Sequence, residues 1–149
     1  MLNLPFSELK TRKNKKGTIE VFDCIRKKYV TLTPEETVRQ QFINFMITEK
    51  GFPASLIAIE KGLLVNNLQK RFDAVAHNNM GEPIILMEFK APEIKLSQEV
   101  FEQISSYNIK LKVKYLIISN GITHYCCSID YKKGEILFME DIPNYKDVI

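Results

Sequence analysis

Residues 68–92 read LQKRFDAVAHNNMGEPIILMEFKAP, and two strands joined by a turn can be traced through them. Phe72, Ala74 and Ala76 alternate with Asp73, Val75 and His77, the period of two that a strand imposes on its faces. Asn78-Asn79-Met80-Gly81 is a turn signal. Ile84–Lys90 then runs almost wholly apolar, as a central strand covered on both faces does. Pairing as a hairpin about residues 80–81 would set Asp73 close to opposite Glu88, fifteen residues later. Within a strand Glu88 and Lys90 share one face, and Ala91-Pro92 stops the segment. An acid and a base at the end of a buried strand are either a structural ion pair or a piece of chemistry.

Outward from this hairpin, the elements alternate between strand and helix. Thr18–Phe22 and Ile25–Thr31 predict a short hairpin. Thr33 is a good N-cap, Pro34 suits the first helical position, and Glu35 and Glu36 lie in the first turn. Glu36 stands at capping-box spacing from Thr33. Val38, Phe42, Phe45 and Met46 recur at helical spacing, so this helix should reach about Lys50 and be capped by Gly51. Ser55–Glu60, Leu68–His77 and Ile84–Lys90 are the next strands. A helix capped by Ser97 carries Val100, Ile104, Tyr107 and Leu111 on one stripe. Tyr115–Ser119, Ile122–Ile129 and Glu135–Met139 complete the series. The order β-β-α-β-β-β-α-β-β-β predicts one domain over residues 1–149 of α/β class: one sheet with helices packed on it and the middle helix crossing between two core strands.

Composition fits that class. The chain is 45% hydrophobic and 26% charged, as in ordinary globular proteins, and 149 residues suffice for a core. It has no apolar stretch of signal-peptide or membrane-span length, and its three cysteines form no disulfide framework. These point to a cytoplasmic protein with no membrane partner. Cys126 and Cys127 face opposite sides of a strand, which predicts one core thiol and one more exposed neighbour. His77 reads as a surface residue flanking a turn and His124 as a strand residue; no zinc-finger spacing is present. The net charge of +3 is uneven. Residues 1–30 carry eight Lys/Arg against three Asp/Glu, and the remainder thirteen against fifteen. The cluster Lys10, Arg12, Lys13, Lys15 and Lys16, within a segment 1–17 that reads as a solvated flexible arm, could meet a phosphate backbone.

Two carboxylates brought as close as Asp73 and Glu88 repel unless a cation joins them, and a divalent ion with oxygen ligands, usually Mg²⁺, is the natural solution. Asp73…Glu88-Phe89-Lys90 resembles the core motif of the PD-(D/E)xK nuclease superfamily. Glu36 matches the acid that precedes the core in many members, and Gln103-Ile-Ser-Ser-Tyr107 matches their QxxxY element. Glu88-Phe-Lys-Ala-Pro92 and Thr33-Pro-Glu-Glu-Thr-Val-Arg-Gln40 most resemble the N-terminal nuclease domain of type I restriction enzyme R subunits, in its small stand-alone bacterial form. Phe72 stands where many members have Pro, and the P-loop pattern of an ATP-driven motor is missing.

The resemblance implies a restriction-endonuclease-like fold, a central mixed sheet flanked by helices, and Mg²⁺- or Mn²⁺-dependent hydrolysis of DNA. Asp73, Glu88, the Phe89 carbonyl and Glu36 would hold metal. Lys90 would position and activate water, while Gln103 and Tyr107 would steady the site and touch DNA. Implied partners are DNA, restriction-system or helicase subunits, and a second copy of the chain. The alternatives stay open at the level of sequence. Glu88 and Lys90 could form an ion pair, Glu36 could serve only as a cap, and the helix pair could be core. The whole chain could be a catalytically silent binding module of the same fold.

Overall fold

The chain is described by a computed structural model. It covers residues 1–65 and 68–149, with side chains described except at 61, 63–65, 68–70, 103 and 106–111. The elements are β1 (Thr11–Lys13), β2 (Ile19–Asp23), β3 (Lys28–Thr31), α1 (Pro34–Thr48), a 3₁₀ turn (Ala54–Leu56), β4 (Ile57–Val65), β5 (Leu68–His77), β6 (Pro83–Phe89), α2 (Gln98–Leu111), β7 (Tyr115–Ser119), β8 (His124–Asp130), β9 (Glu135–Met139) and α3 (Tyr145–Val148).

Two sheets form where the sequence predicts one. β4 to β9 make a six-stranded sheet in chain order, and β1–β2–β3 make a separate antiparallel sheet of three. In the larger sheet only β6 and β7 run parallel, with α2 as the crossover that such a pair requires. Both strands are buried almost throughout, which explains their unbroken apolar sequences. One face packs Ala74, Met87, Phe89 and Ile117 against Val38, Phe42 and Met46 of α1. The other packs Val75, Leu86, Leu116 and Cys127 against Ile104 of α2. The mixed α/β sandwich is thus the expected class.

Local chemistry fixes the first helix. The Thr33 hydroxyl accepts the Glu36 N–H at 3.0 Å, and Pro34 occupies the first turn. Beyond the C-terminus, Gly51 adopts φ +77° and Phe52 N–H returns to the Met46 carbonyl at 3.1 Å. The chain then enters the 3₁₀ turn and β4.

Three further expectations change. The basic segment is no free arm: Thr11–Lys13 pairs with β2, Asn3 N–H donates to the Gly121 carbonyl at 2.7 Å, and Ser7 exchanges hydrogen bonds with the Gln41 side chain. His77 is buried rather than on the surface, its Nδ1 3.0 Å from the Leu56 carbonyl, because a register shift at Ala76/His77 turns it toward the 3₁₀ turn. Cys126 and Cys127 are both buried, because β8 lies under cover on each face. Burial pushes their thiols up to about 12 and about 11. No described helix is long and apolar enough to cross a membrane.

Candidate active site

The site lies at the open end of the β5–β6 hairpin, away from its turn. The turn end is closed by Asn78, whose Oδ1 accepts the Met80 and Glu82 N–H groups at 2.9 Å. The ladder then runs through Ala76↔Ile85, Val75↔Leu86 and Ala74↔Met87. Asp73 is the next residue of β5 beyond that ladder, and Glu88 the next residue of β6. Asp73 Oδ2 accepts the Phe89 N–H at 2.7 Å. This bond ties the half-buried Asp73 side chain to the main chain of the acid-bearing strand. Glu88 is buried, at 8% exposure. Lys90 follows, half-buried, its N–H donating to the Ser119 carbonyl of β7 at 2.9 Å. One strand end therefore gathers two carboxylates and an amine.

α1 brings its first turn to the same end. Phe42 packs on Phe89 with ring centroids 5.2 Å apart, which holds the helix over the end of β6. Glu35 feels the site: partial burial, then repulsion from Asp73, push its carboxyl above the usual range, with Lys90 and Arg39 pulling the other way. Glu35 as a whole is solvent-exposed, so that push is screened.

Glu36 is placed otherwise. It is buried, and both of its carboxylate oxygens are engaged: Arg39 Nε donates at 2.8 Å, Gln40 Nε2 at 3.2 Å and Arg26 Nη2 at 3.0 Å. Arg26 also bonds Asp23 at 2.6 Å and reaches Glu60 at 3.4 Å. Burial works to raise the Asp23 carboxyl, but hydrogen bonds from the Arg26 main chain, the Arg26 side chain and Ile25 N–H outweigh it and hold the carboxyl low. For Arg39, the Glu36 hydrogen bond and charge outweigh burial and raise its pKa, with Asp73 adding to the effect. Glu36 thus belongs to a closed arginine network beside the open strand end.

Glu60 is the member of this region that the sequence conceals. The β4–β5 register, Ile59↔Ala74 and Lys61↔Phe72, brackets Glu60 with Asp73, yet Glu60 itself has φ +53°. A non-glycine residue at that angle is strained. Its carboxylate lies 3.4 Å from Arg26 and 3.8 Å from both Arg39 and Arg71. No local pattern marks it. By contrast, the Glu36–Arg39–Gln40 spacing on α1 was a legible ion-pair signal.

Gln103 and Tyr107 fall on α2, but their side chains lie outside the described residues. Lys10, Arg12, Lys13, Lys15 and Lys16 lie on the small sheet and its first turn, apart from the strand end.

Residues 34–143 match the family described as the N terminus of the type I restriction enzyme R protein. The chain belongs to that family. Among solved structures it is similar to a fragment assigned as the HsdR subunit of a type I restriction enzyme from Vibrio vulnificus YJ016. The TM-score is 0.55 at 21% identity, over 78% of this chain and 24% of that one, so the likeness shows the fold. No curated protein matches the chain.

A divalent metal suits the R-protein-like strand end on the chemistry of its donors. Asp73 and Glu88 would offer hard oxygen donors from adjacent strands. Among the described residues no three His, Cys, Asp or Glu side chains are already gathered as a metal cluster. Mg²⁺ accepts such a sparse set, because it usually binds through one or two carboxylates and keeps several waters.

Proposed function

We propose that the chain is a metal-dependent DNA endonuclease that hydrolyses phosphodiester bonds. The observation that carries this is the Phe89 N–H to Asp73 hydrogen bond, which ties Asp73 at the end of β5 to the stretch of β6 that bears Glu88 and leads into Lys90. Membership of the R-protein N-terminal family supports the same reading.

Asp73, Glu88 and the Phe89 carbonyl would hold Mg²⁺ or Mn²⁺, with Glu35 on α1 a further acid, its carboxyl pushed up by partial burial and then by Asp73. Bound there, the metal supplies Lewis-acid polarisation of the phosphate and neutralises charge that develops in displacement. Lys90 orients the attacking water and offsets negative charge at phosphorus. Water attacks phosphorus and the P–O bond to the leaving sugar breaks; the water's proton passes to solvent through Lys90 or a carboxylate, and the departing sugar oxygen takes a proton from solvent. The closed network of Glu36, Arg26 and Arg39 fixes the first turn of α1 and so the position of Glu35. Partner subunits of a restriction or helicase system, and a second copy of the chain, remain part of this proposal.

The test is incubation of the full chain with labelled linear, nicked, branched and single-stranded DNA in Mg²⁺ or Mn²⁺, with an EDTA control. Metal-dependent cleavage is expected, lost in Asp73→Ala and in Lys90→Ala. Full cleavage by either variant overturns the assignment. A catalytically silent binding module is the second reading, and the missing ready-made metal cluster among the described residues favours it. Calorimetric titration with Mg²⁺ separates the two, since a silent module need not bind the ion.

A further inference from the structure

Residues 1–30 hold most of the excess positive charge of the chain, and the structure turns that charge into a built surface. β1 pairs with β2 through Thr11↔Val21, Arg12↔Glu20 and Lys13↔Ile19. The turn between them is locked by Asn14, whose Oδ1 accepts the N–H groups of Lys16 at 2.9 Å and Thr18 at 3.0 Å. Gly17 completes it at φ +83°, a conformation that glycine adopts without strain. Lys15 and Lys16 stand exposed at a tip of fixed shape.

The outer face of the sheet is equally organised. Register places Lys10 and Arg12 on the same side as Phe22 and Tyr29. The two rings meet edge to face at 5.3 Å. Lys10 Nζ lies 5.3 Å from the Phe22 centroid, and the Arg12 guanidinium carbon lies 3.7 Å from the Tyr29 centroid. Arg12 Nε donates to Glu20 at 2.9 Å, so the guanidinium is held flat on the ring while the side chain stays largely exposed. The inner face is different: Val21 and Asp23 are buried, and Arg26 bridges Asp23 to Glu36 on α1. The cationic face is therefore joined through buried ion pairs to the helix that carries Glu35.

We propose that the outer face and tip of the β1–β2–β3 sheet are a preformed grip on the phosphate backbone of duplex DNA, acting without metal. This rests on the reading of the chain as one that acts on DNA. Two features favour a polyanion. The exposed cations outnumber the acids around them, and Glu20 is already paired with Arg12. Duplex DNA presents closely spaced phosphates with a condensed counterion layer, so cations fixed in advance release those ions without first ordering an arm. A two-stranded ribbon also fits the major groove, which lets the Lys15–Lys16 tip follow the backbone on either side.

The test uses the full chain in EDTA, where cleavage is silent. A labelled DNA duplex is titrated and its fluorescence anisotropy followed across a range of salt concentrations. Affinity should fall linearly with salt on logarithmic axes. Lys15→Ala with Lys16→Ala, both at exposed turn positions, should weaken binding by about tenfold and flatten the slope by about 2. Lys132→Ala with Lys133→Ala, in the turn between β8 and β9, should change neither. An unchanged slope in the first variant, or an equal loss in the second, overturns the proposal. So does preference for phosphatidylserine vesicles over the duplex, which would make the face a membrane contact. Duplex binding that responds as expected, with no cleavage in Mg²⁺, would leave the grip standing and overturn the nuclease reading instead. Cleavage with unaltered binding in the lysine variant would do the reverse.

Discussion

Two acidic regions lie side by side at the first turn of α1, and they are built on opposite terms. Around Glu36, the carboxylates meet Arg26, Arg39 and Gln40 at hydrogen-bond distance, in a buried setting. Around Asp73, the organising contact is a main-chain N–H from Phe89 on the adjacent strand. The first arrangement satisfies its charges internally, as buried ions must be. The second joins a half-buried carboxylate to the main chain of the neighbouring strand. The neighbouring acids Glu35 and Glu36 differ in the same way: Glu36 is buried in the arginine network and Glu35 is solvent-exposed.

The largest effect should come from the strand end. Asp73→Ala or Lys90→Ala should lower DNA cleavage by at least about 10²-fold while the circular dichroism spectrum stays native. Comparable rates in the variants would erase the distinction between the two regions. Next, Glu36→Ala leaves Arg39 and Arg26 without their shared buried carboxylate and should cost about 3–5 kcal/mol in urea denaturation. If instead stability holds and Mg²⁺ binding disappears, Glu36 belongs with the open site.

A smaller loss, about 1–3 kcal/mol, is expected for Gly121→Ala. Gly121 has φ +85°, and an added Cβ would stand 2.7 Å from Leu2 Cδ2 and 3.1 Å from Val38 Cγ2. The N-terminal segment seated there by Asn3 should then exchange its amide protons faster, which hydrogen exchange would report.

pH sharpens the comparison most gently. Cys126 and Cys127 have raised folded pKa values, so their contribution is complete below the unfolded thiol value near 8.5 and is lost as pH climbs toward 11–12. Melting temperature should therefore decline above about pH 8.5. Asp23 has the opposite sign: its folded value is lowered, so its contribution is present above the unfolded value near 3.9 and is lost on acidification below it. Asp23→Asn should flatten the acid limb, and an unaltered limb would remove Arg26–Asp23 from the closed network.

The sequence alone placed several of the regular elements, though it ended β4 at Glu60 where the strand runs Ile57–Val65. β5, β7 and β9 run between the residues their patterns predict, and Thr33 caps α1 as its side chain dictates. These signals are local: alternation, an apolar run, a capping hydroxyl and a turn of Asn and Gly. β1 escaped such reading, because Thr-Arg-Lys has no alternation and becomes a strand only by pairing with β2. The division into two sheets escaped it too, since nothing within a strand records which neighbour it will join.

The candidate site divides along the same line. By itself, the sequence marked Asp73 for β5 and Glu88 for β6 with a turn between them, because alternation, an apolar run and an Asn/Gly turn are local signals. Only the tertiary structure decided which helix acid is closed into an arginine network. Glu35 and Glu36 are adjacent acids in the same first turn. The choice was made by Arg26, ten residues before Glu36, and by Arg39, which close around the Glu36 carboxylate while Glu35 stays solvent-exposed. Glu60 likewise enters through strand register and a left-handed backbone, and register is a property of two strands rather than one.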